Sequence, residues 1–449
     1  DSRDFGYITT PRDQVIGGPC WAFATCDATE AYSIKNGKEN IYHAPQLLTN
    51  CHDGFLWTKT QGGNSNIAAA LLSRLDGQAL EDNIPFAANE SDCPEYNRDD
   101  FAAYFLSSCS LPSGDITAIK QCIYEYGAVT AAMYYESKYY DKSTNTYLYT
   151  GDESANHGIS LVGWDDEEQV FIAKFNWSGT SRFDNGFLKI SYNDTKVMSE
   201  CFSFQNRVET TEIDTAYYYD KTGMTGWIDY SDDIIVKKVS ALSYFTTKGR
   251  EKVKYVGSYV LRPSTLKFYV MIGDDVYTKE VTCPYAGFVS VKIDEEPEVD
   301  GQFIIAVDYP DYLPLETEVP EYNEPNLTTF ELQPQIVQLN DDPNYEFKVG
   351  TNSPSSKFRD MNLCLKAYTQ KVSVPTESAG SEREYENPVI NGKINAEVWN
   401  TASEITIHST DGTPVENLTS DKVVNIEGLY IFVVRYSDGV TKRSLELLY

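Results

Sequence analysis

Gln14-Val15-Ile16-Gly17-Gly18-Pro19-Cys20-Trp21-Ala22-Phe23-Ala24 decides how this chain is read. One cysteine, preceded by glycines and a proline, stands at the start of a helical pattern. Neither Gly nor Pro interrupts the run after Cys20 until Gly37; Phe23, Ala24, Ala28, Ala31 and Ile34 fall near helical spacing, and Asn36-Gly37 supplies a stop. The spacing predicts a helix that begins at Cys20. Unpaired backbone N–H groups and the helix dipole at such an end favour an anionic sulfur, so a lowered thiol pKa is expected for Cys20.

A thiolate nucleophile needs a base, and the chain has four histidines, His43, His52, His157 and His408. His157 opens the apolar strand pattern His157-Gly158-Ile159-Ser160-Leu161-Val162-Gly163-Trp164. His52 directly follows Cys51, and His43 and His408 lie in polar surroundings; these three are read as structural or exposed.

The stretch from Gln14 to Ala24 resembles the nucleophile segment of the papain-like cysteine peptidases. Gly17 stands where that family usually has its first cysteine, and Pro19 replaces a small residue. The resemblance implies an α+β papain-like fold, a helical subdomain plus a β-barrel-like subdomain, with Cys20 as nucleophile. It also implies that the Gln14 amide and the Cys20 backbone N–H form the oxyanion hole. His157 lies within the roughly 130–150 residues downstream at which the family places its histidine.

The third member comes from Asn176-Trp177-Ser178-Gly179-Thr180-Ser181-Arg182-Phe183-Asp184-Asn185-Gly186, which resembles the family's asparagine block. Aligned without a gap, it puts Asn176 at the position that orients the imidazole, with Trp177 and Ser178 transposed. Anchoring on Trp177 instead would put Phe175 there and leave the triad incomplete; the Gly-Thr-Ser and Asp-Asn-Gly matches favour Asn176. Gly62-Gly63 resembles the family's double glycine, where bare backbone lets an extended substrate pair in strand fashion. By the same resemblance Gly18, Gly158 and Trp177 also border the substrate, and Cys51 and Cys93 are expected to form a disulfide. Gly17 and Thr60 occupy both ends of a second family bridge, and Cys26 is expected to be a buried free thiol.

The resemblance covers about the first 205 residues, assigned as a peptidase domain at 1–208. Short β-rich runs at 242–247, 254–261, 265–272, 288–293 and 302–307 follow, with the spacing of an all-β sandwich assigned to 209–370. Residues 371–388, rich in Ser, Glu and Pro, read as a linker. Runs at 396–399, 405–408, 423–426 and 428–435 suggest a small β-sandwich at 389–449, immunoglobulin-like or similar to a C-terminal sorting domain. The fold class is thus papain-like α+β followed by all-β sandwich domains. This order resembles bacterial cysteine peptidases with a lectin-like domain, and implies a secreted or cell-surface protein with carbohydrate as a second partner. Asp1 resembles the start of a mature enzyme of the family, which implies a leader and pro-segment removed from a zymogen.

Across 449 residues, 37 Lys and Arg face 67 Asp and Glu, a formal charge of −30. That balance argues against nucleic acid and anionic membranes as partners, and no apolar run is long enough to span a bilayer. Acidic runs at 165–168, 229–233 and 341–342 could supply oxygen ligands to a structural calcium, although none has EF-hand spacing. No catalytic cofactor is expected. The reading is a monomeric, secreted cysteine endopeptidase that hydrolyses peptide bonds through an acyl-enzyme. Two others stay open: an inactive papain-like scaffold serving as an adhesin for carbohydrate or protein, and an acyl transferase using the same triad.

Overall fold

The computed structural model describes residues 1–372 apart from 39–40, 77, 234, 326–334, 352 and 355; beyond 372 it describes the strands at 389–390, 393–394, 402–409, 428–436 and 441–448. Among them no helix is long and apolar enough to cross a membrane. The chain divides into two compact units, Asp1–Val372 and Ser373–Tyr449.

Helix α1 runs Cys20–Lys35 and ends at Asn36, with Gly37 in the left-handed region. It is buried on nearly every side, because its small residues let neighbours approach closely. Trp21, Ala22, Cys26 and Ala28 pack against α3 (Ser65–Ser73) and against Phe105, Phe202 and Phe204. Ala31 meets Ala128, Val162 and Val170 on another side. Helix α2 (Pro45–Asn50) precedes the Cys51–Cys93 disulfide, and α4 (Ile116–Tyr126) follows.

Strand His157–Asp165 lies inside a nine-stranded sheet, between Val129–Met133 and Val170–Lys174. Its antiparallel register pairs His157 with Met133 and Gly158 with Ala132. His157 therefore opens its strand as Cys20 opens its helix, and the two ends meet in one cleft.

Two further sheets face each other across an apolar core that includes Val256, Phe268, Phe303, Ile305 and Val307. One contains Glu251–Val260 between Leu365–Lys371 and Gly287–Lys292; the other contains Val239–Thr246 and Gln302–Tyr309, paired Leu242 to Ala306. A third apolar cluster joins Tyr104, Leu106 and Val208 to Tyr255, Phe288 and Tyr368, so the core is continuous across residue 208. Tyr368 also donates to the Ser73 carbonyl at 2.5 Å.

In the second unit Ala402–Ser409, Gly428–Tyr436 and Thr441–Leu448 form an antiparallel sheet, and Val389–Ile390 pairs with Lys393–Ile394. The expected runs at 396–399 and 423–426, and the linker from residue 373 onward, lie outside the described residues.

Candidate active site

A cleft of about 520 Å³ is lined by Gly18, Cys20, Trp21, Gly62, Gly63, His157 and Gly158, together with Trp57, Asn64, Ser65, Thr130, Ala131, Ala132 and Glu200. Of the expected site residues it gathers Cys20, His157 and the four glycines. The fit is tight where glycine is required. A Cβ on Gly63 would sit 2.3 Å from the Trp21 ring, and one on Gly158 would sit 3.1 Å from the Trp21 nitrogen. Gly18, at φ 112°, has the Lys59 carbonyl where a Cβ would be.

The Cys20 thiol corrects the sequence expectation. Burial raises its pKa above the ordinary thiol value, against the Gly158, Trp21 and Cys20 N–H groups, which stabilise the anion. Loss of water outweighs the helix end. His157 is 6% exposed, and burial, followed by the charge of Arg182, pushes it down to about 3. Its Nε2 is buried without a hydrogen-bond partner. Burial thus works against charge on both groups.

Asn176 is not at His157. Its Nδ2 donates to Asp27 Oδ2 at 2.6 Å, and its Oδ1 accepts from the Arg12 N–H at 2.9 Å. Phe175 and Trp177 instead face the imidazole, with ring centroids 4.4 and 5.9 Å away. The chain leaves strand Val170–Lys174 extended, so successive side chains point to opposite faces, and Phe175 and Trp177 share the face that Asn176 lacks. The alignment anchored on Trp177 is the one this geometry follows. Tyr135 adds a third ring 6.3 Å from His157, and Arg182 donates to its hydroxyl at 2.8 Å.

Gln14 is also turned away. It is buried, its Nε2 donates to the Ile16 carbonyl at 2.9 Å, and its Oε1 has no partner. Its backbone N–H donates to the Asn176 carbonyl at 3.0 Å, so Asn176 holds the segment before Cys20 by its main chain and side chain.

Beneath the site lies a buried charge network that sequence reasoning missed. Asp27 Oδ1 accepts from Lys174 at 2.7 Å and Oδ2 from Ser160 at 3.0 Å. Glu30 accepts from Arg12 at 2.8 Å, from the His43 N–H at 2.8 Å and from Thr9 at 2.5 Å. Its signal in the sequence is two acids, Asp27 and Glu30, in a helix rich in small and apolar residues. Cys51 and Cys93 are joined in a disulfide, and Cys26 is a buried free thiol. Among the described residues no three His, Cys, Asp or Glu side chains converge as a metal site.

Residues 1–208 match the family model described as papain family cysteine protease. This part of the chain is a papain-family peptidase domain. Over 205 residues the chain is 25% identical to a cathepsin L-like peptidase of Aedes aegypti, covering 43% of this chain and 58% of that one. Over 202 residues it is 27% identical to a cathepsin L-like proteinase of Fasciola hepatica, covering 43% and 60%. The chain thus spans about three fifths of the length of these relatives. The solved cysteine protease and lectin-like domains of Cwp84, a surface layer associated protein of Clostridium difficile, superpose with a TM-score of 0.70 at 19% identity, covering 83% of this chain and 88% of that one. Cwp84 after propeptide cleavage gives 0.69 at 18%, covering 83% and 99%. At these identities the likeness is one of fold: a papain-like domain followed by further β-sheets.

Proposed function

We propose that this protein is a cysteine endopeptidase working through Cys20 and His157. The observation that carries the reading is their meeting, at the starts of α1 and of strand His157–Asp165, in a cleft edged by Gly62 and Gly63. His157 takes the Cys20 proton as the sulfur attacks the scissile carbonyl. The N–H of Cys20 meets the oxyanion, and Gln14 joins it after leaving the Ile16 carbonyl. His157 then protonates the leaving amine, and water cleaves the thioester. Phe175, Trp177 and Tyr135 hold the imidazole by packing, in place of a hydrogen bond from Asn176.

Secretion or surface location belongs to the same proposal. Its support is the Cys51–Cys93 disulfide, which needs an oxidising compartment, and the fold shared with a surface layer associated protein. Carbohydrate as a partner of the β-sandwich rests on that fold likeness alone.

A second reading, a catalytically silent scaffold, is favoured by the diverted Asn176 and the engaged Gln14 amide. One experiment separates the two: intact mass after incubation with an epoxide selective for papain-like thiolates, on native protein, Cys20→Ala and His157→Ala. A single adduct on native protein, absent from Cys20→Ala and slowed in His157→Ala, supports the peptidase. Folded, reduced native protein that stays unlabelled supports the scaffold.

A further inference from the structure

Two further cavities adjoin the catalytic cleft. One, of about 420 Å³, shares Trp57 and Thr60 with it. The other, of about 700 Å³, shares Asn50, His52 and Phe55 with the first. Cavities that share walls lie side by side, so a path leads from Gly62 and Gly63 past Trp57 and Leu56 to Tyr96, Tyr218 and Tyr219. Thr215–Tyr218 is a strand of the β-sandwich, paired with Lys366–Thr369, so the path starts on the peptidase domain and ends on the sandwich.

The walls of this path are fixed by bonds. The Cys51–Cys93 disulfide lines its far cavity. Asn50 Nδ2 donates to the Asp92 carbonyl at 2.8 Å, and Lys59 Nζ donates to the Ala87 and Glu90 carbonyls at 2.7 and 2.9 Å. At the waist the sandwich holds Trp57: its Nε1 donates to the Glu321 carbonyl at 2.9 Å, and the Tyr322 ring packs edge-on against Phe55 and Trp57, each 5.5 Å away. Glu321 presents that carbonyl from the left-handed region, at φ 67°. Binding sites are largely pre-formed in this way.

What such a path would hold follows from what its walls leave unmet. Asp53 pairs with Arg74 at 2.8 Å and with Lys221, and Asp76 pairs with Arg74, so these charges satisfy one another. In the middle cavity Lys59 and Glu90 oppose each other. Burial pushes His52 below its ordinary pKa, which leaves it neutral at pH 7. The surface left over is apolar and aromatic: Leu56 is 49% exposed and Tyr96 38%, and Tyr218 and Tyr219 are half-buried. Exposed apolar groups gathered in a concavity mark a binding surface.

We propose that this row of cavities is a distal binding groove, in which the substrate polypeptide continues beyond the cleft and sets an apolar or aromatic side chain against Leu56 and Tyr96. The ligand class is an extended polypeptide with a hydrophobic residue well away from its scissile bond. Continuity selects this occupant, because a chain lying along Gly62 and Gly63 meets Trp57 and Thr60 next. The β-sandwich contributes Tyr218 and Tyr219 to the groove and steadies its waist through Glu321 and Tyr322, so recognition is divided between two domains. This rests on the peptidase reading above and adds a part of the substrate that the cleft itself does not touch.

The test uses the full chain and fluorogenic peptides that share the residues around the scissile bond. One is short; the others carry about eight more residues, a reach of roughly 28 Å, at one end or the other. Extension at one end with leucine and phenylalanine is expected to raise kcat/KM by roughly tenfold or more, through KM, whereas a Gly-Ser or an Asp-Lys extension of equal length is not. Leu56→Ser and Tyr96→Ala, whose side chains are too exposed to leave a core cavity, are together expected to bring the long-to-short ratio to within about threefold of one. The free extension peptide should inhibit cleavage of the long substrate and spare the short one. A gain that is absent at both ends, that is equal for polar and apolar extensions, or that survives the double substitution overturns the proposal, and so does a gain that requires a glycan on the extension. If native protein cleaves neither length and resists the epoxide, the peptidase reading fails and the groove falls with it.

Discussion

Asn176 donates to Asp27 at 2.6 Å, while the Phe175 ring lies 4.4 Å from the His157 imidazole. The residue aligned with the orienting asparagine thus braces a buried acid and the segment before Cys20. Removing a group that fixes a catalytic imidazole costs on the order of 10⁴ in kcat. Asn176→Ala should cost less than about tenfold in epoxide labelling, because packing holds the ring. It should also lower unfolding stability by about 1–3 kcal/mol, since Asp27 and the Arg12 N–H each lose a partner. Labelling rates and urea titrations measure both. A fall in labelling beyond about 10³ would mean that Asn176 swings to His157 during reaction.

Gln14 faces the Ile16 carbonyl at rest, so its contribution appears only after rearrangement. Gln14→Ala is expected to lower kcat by about 10²–10³ with little change in KM, as loss of an oxyanion donor does. Steady-state kinetics on one peptide substrate decides it. A loss below about tenfold would leave the Cys20 N–H as the working donor and give Gln14 a structural part.

Gly63 and Gly158 both lie against Trp21, the residue that follows the nucleophile. A methyl at Gly63 would enter the indole at 2.3 Å, so Gly63→Ala should destabilise the fold by about 1–3 kcal/mol. Gly158→Ala meets the Trp21 nitrogen at 3.1 Å, a milder contact that shifts Cys20 relative to His157. Misplacement of reacting groups by about 1 Å can cost about 10²-fold, so Gly158→Ala should lose activity more than stability. Thermal melting beside epoxide labelling separates the two effects. Equal loss in both variants would contradict this division.

How far the sequence could be read follows from which interactions are local. The start of α1 at Cys20, its end at Asn36 and the strand at His157 are written in short-range patterns, and each stands where the residues imply. The five strands expected from β-rich runs lie within about three residues of their bounds, Val239–Thr246 against 242–247 for example; Tyr312–Thr317, Gln335–Leu339 and Leu365–Lys371 are strands for which those runs give no counterpart. Asp275–Cys283, an edge strand, is another: one face is exposed, and the other sets Tyr277, Val281 and Cys283 against the core with Lys279 between them, which blurs the apolar alternation. The Phe175 and Asn176 choice is a one-residue step in an extended chain, which exchanges every side chain between faces while leaving the motif match nearly unchanged. The Asp27, Glu30, Arg12 and Lys174 network and the reach of Tyr322 to Trp57 depend on long-range packing. No local pattern carries them.

His43 supplies a test of the buried network by pH. It is fully buried, its Nδ1 lies 2.8 Å from Thr29 Oγ1, and burial, then the charges of Arg12 and Arg207, push it from 6.5 down to about 3. The folded pKa is depressed, so its contribution is whole above the unfolded pKa of 6.5 and is lost as pH falls toward about 3. Within that window the unfolded chain binds a proton that the native chain refuses, which removes about 1.4 kcal/mol per pH unit. His43→Gln has no such proton to bind. Between pH 7 and pH 5 native protein should therefore lose about 2 kcal/mol more than the variant in urea unfolding. Parallel losses would show that His43 is solvated or charged in the folded protein.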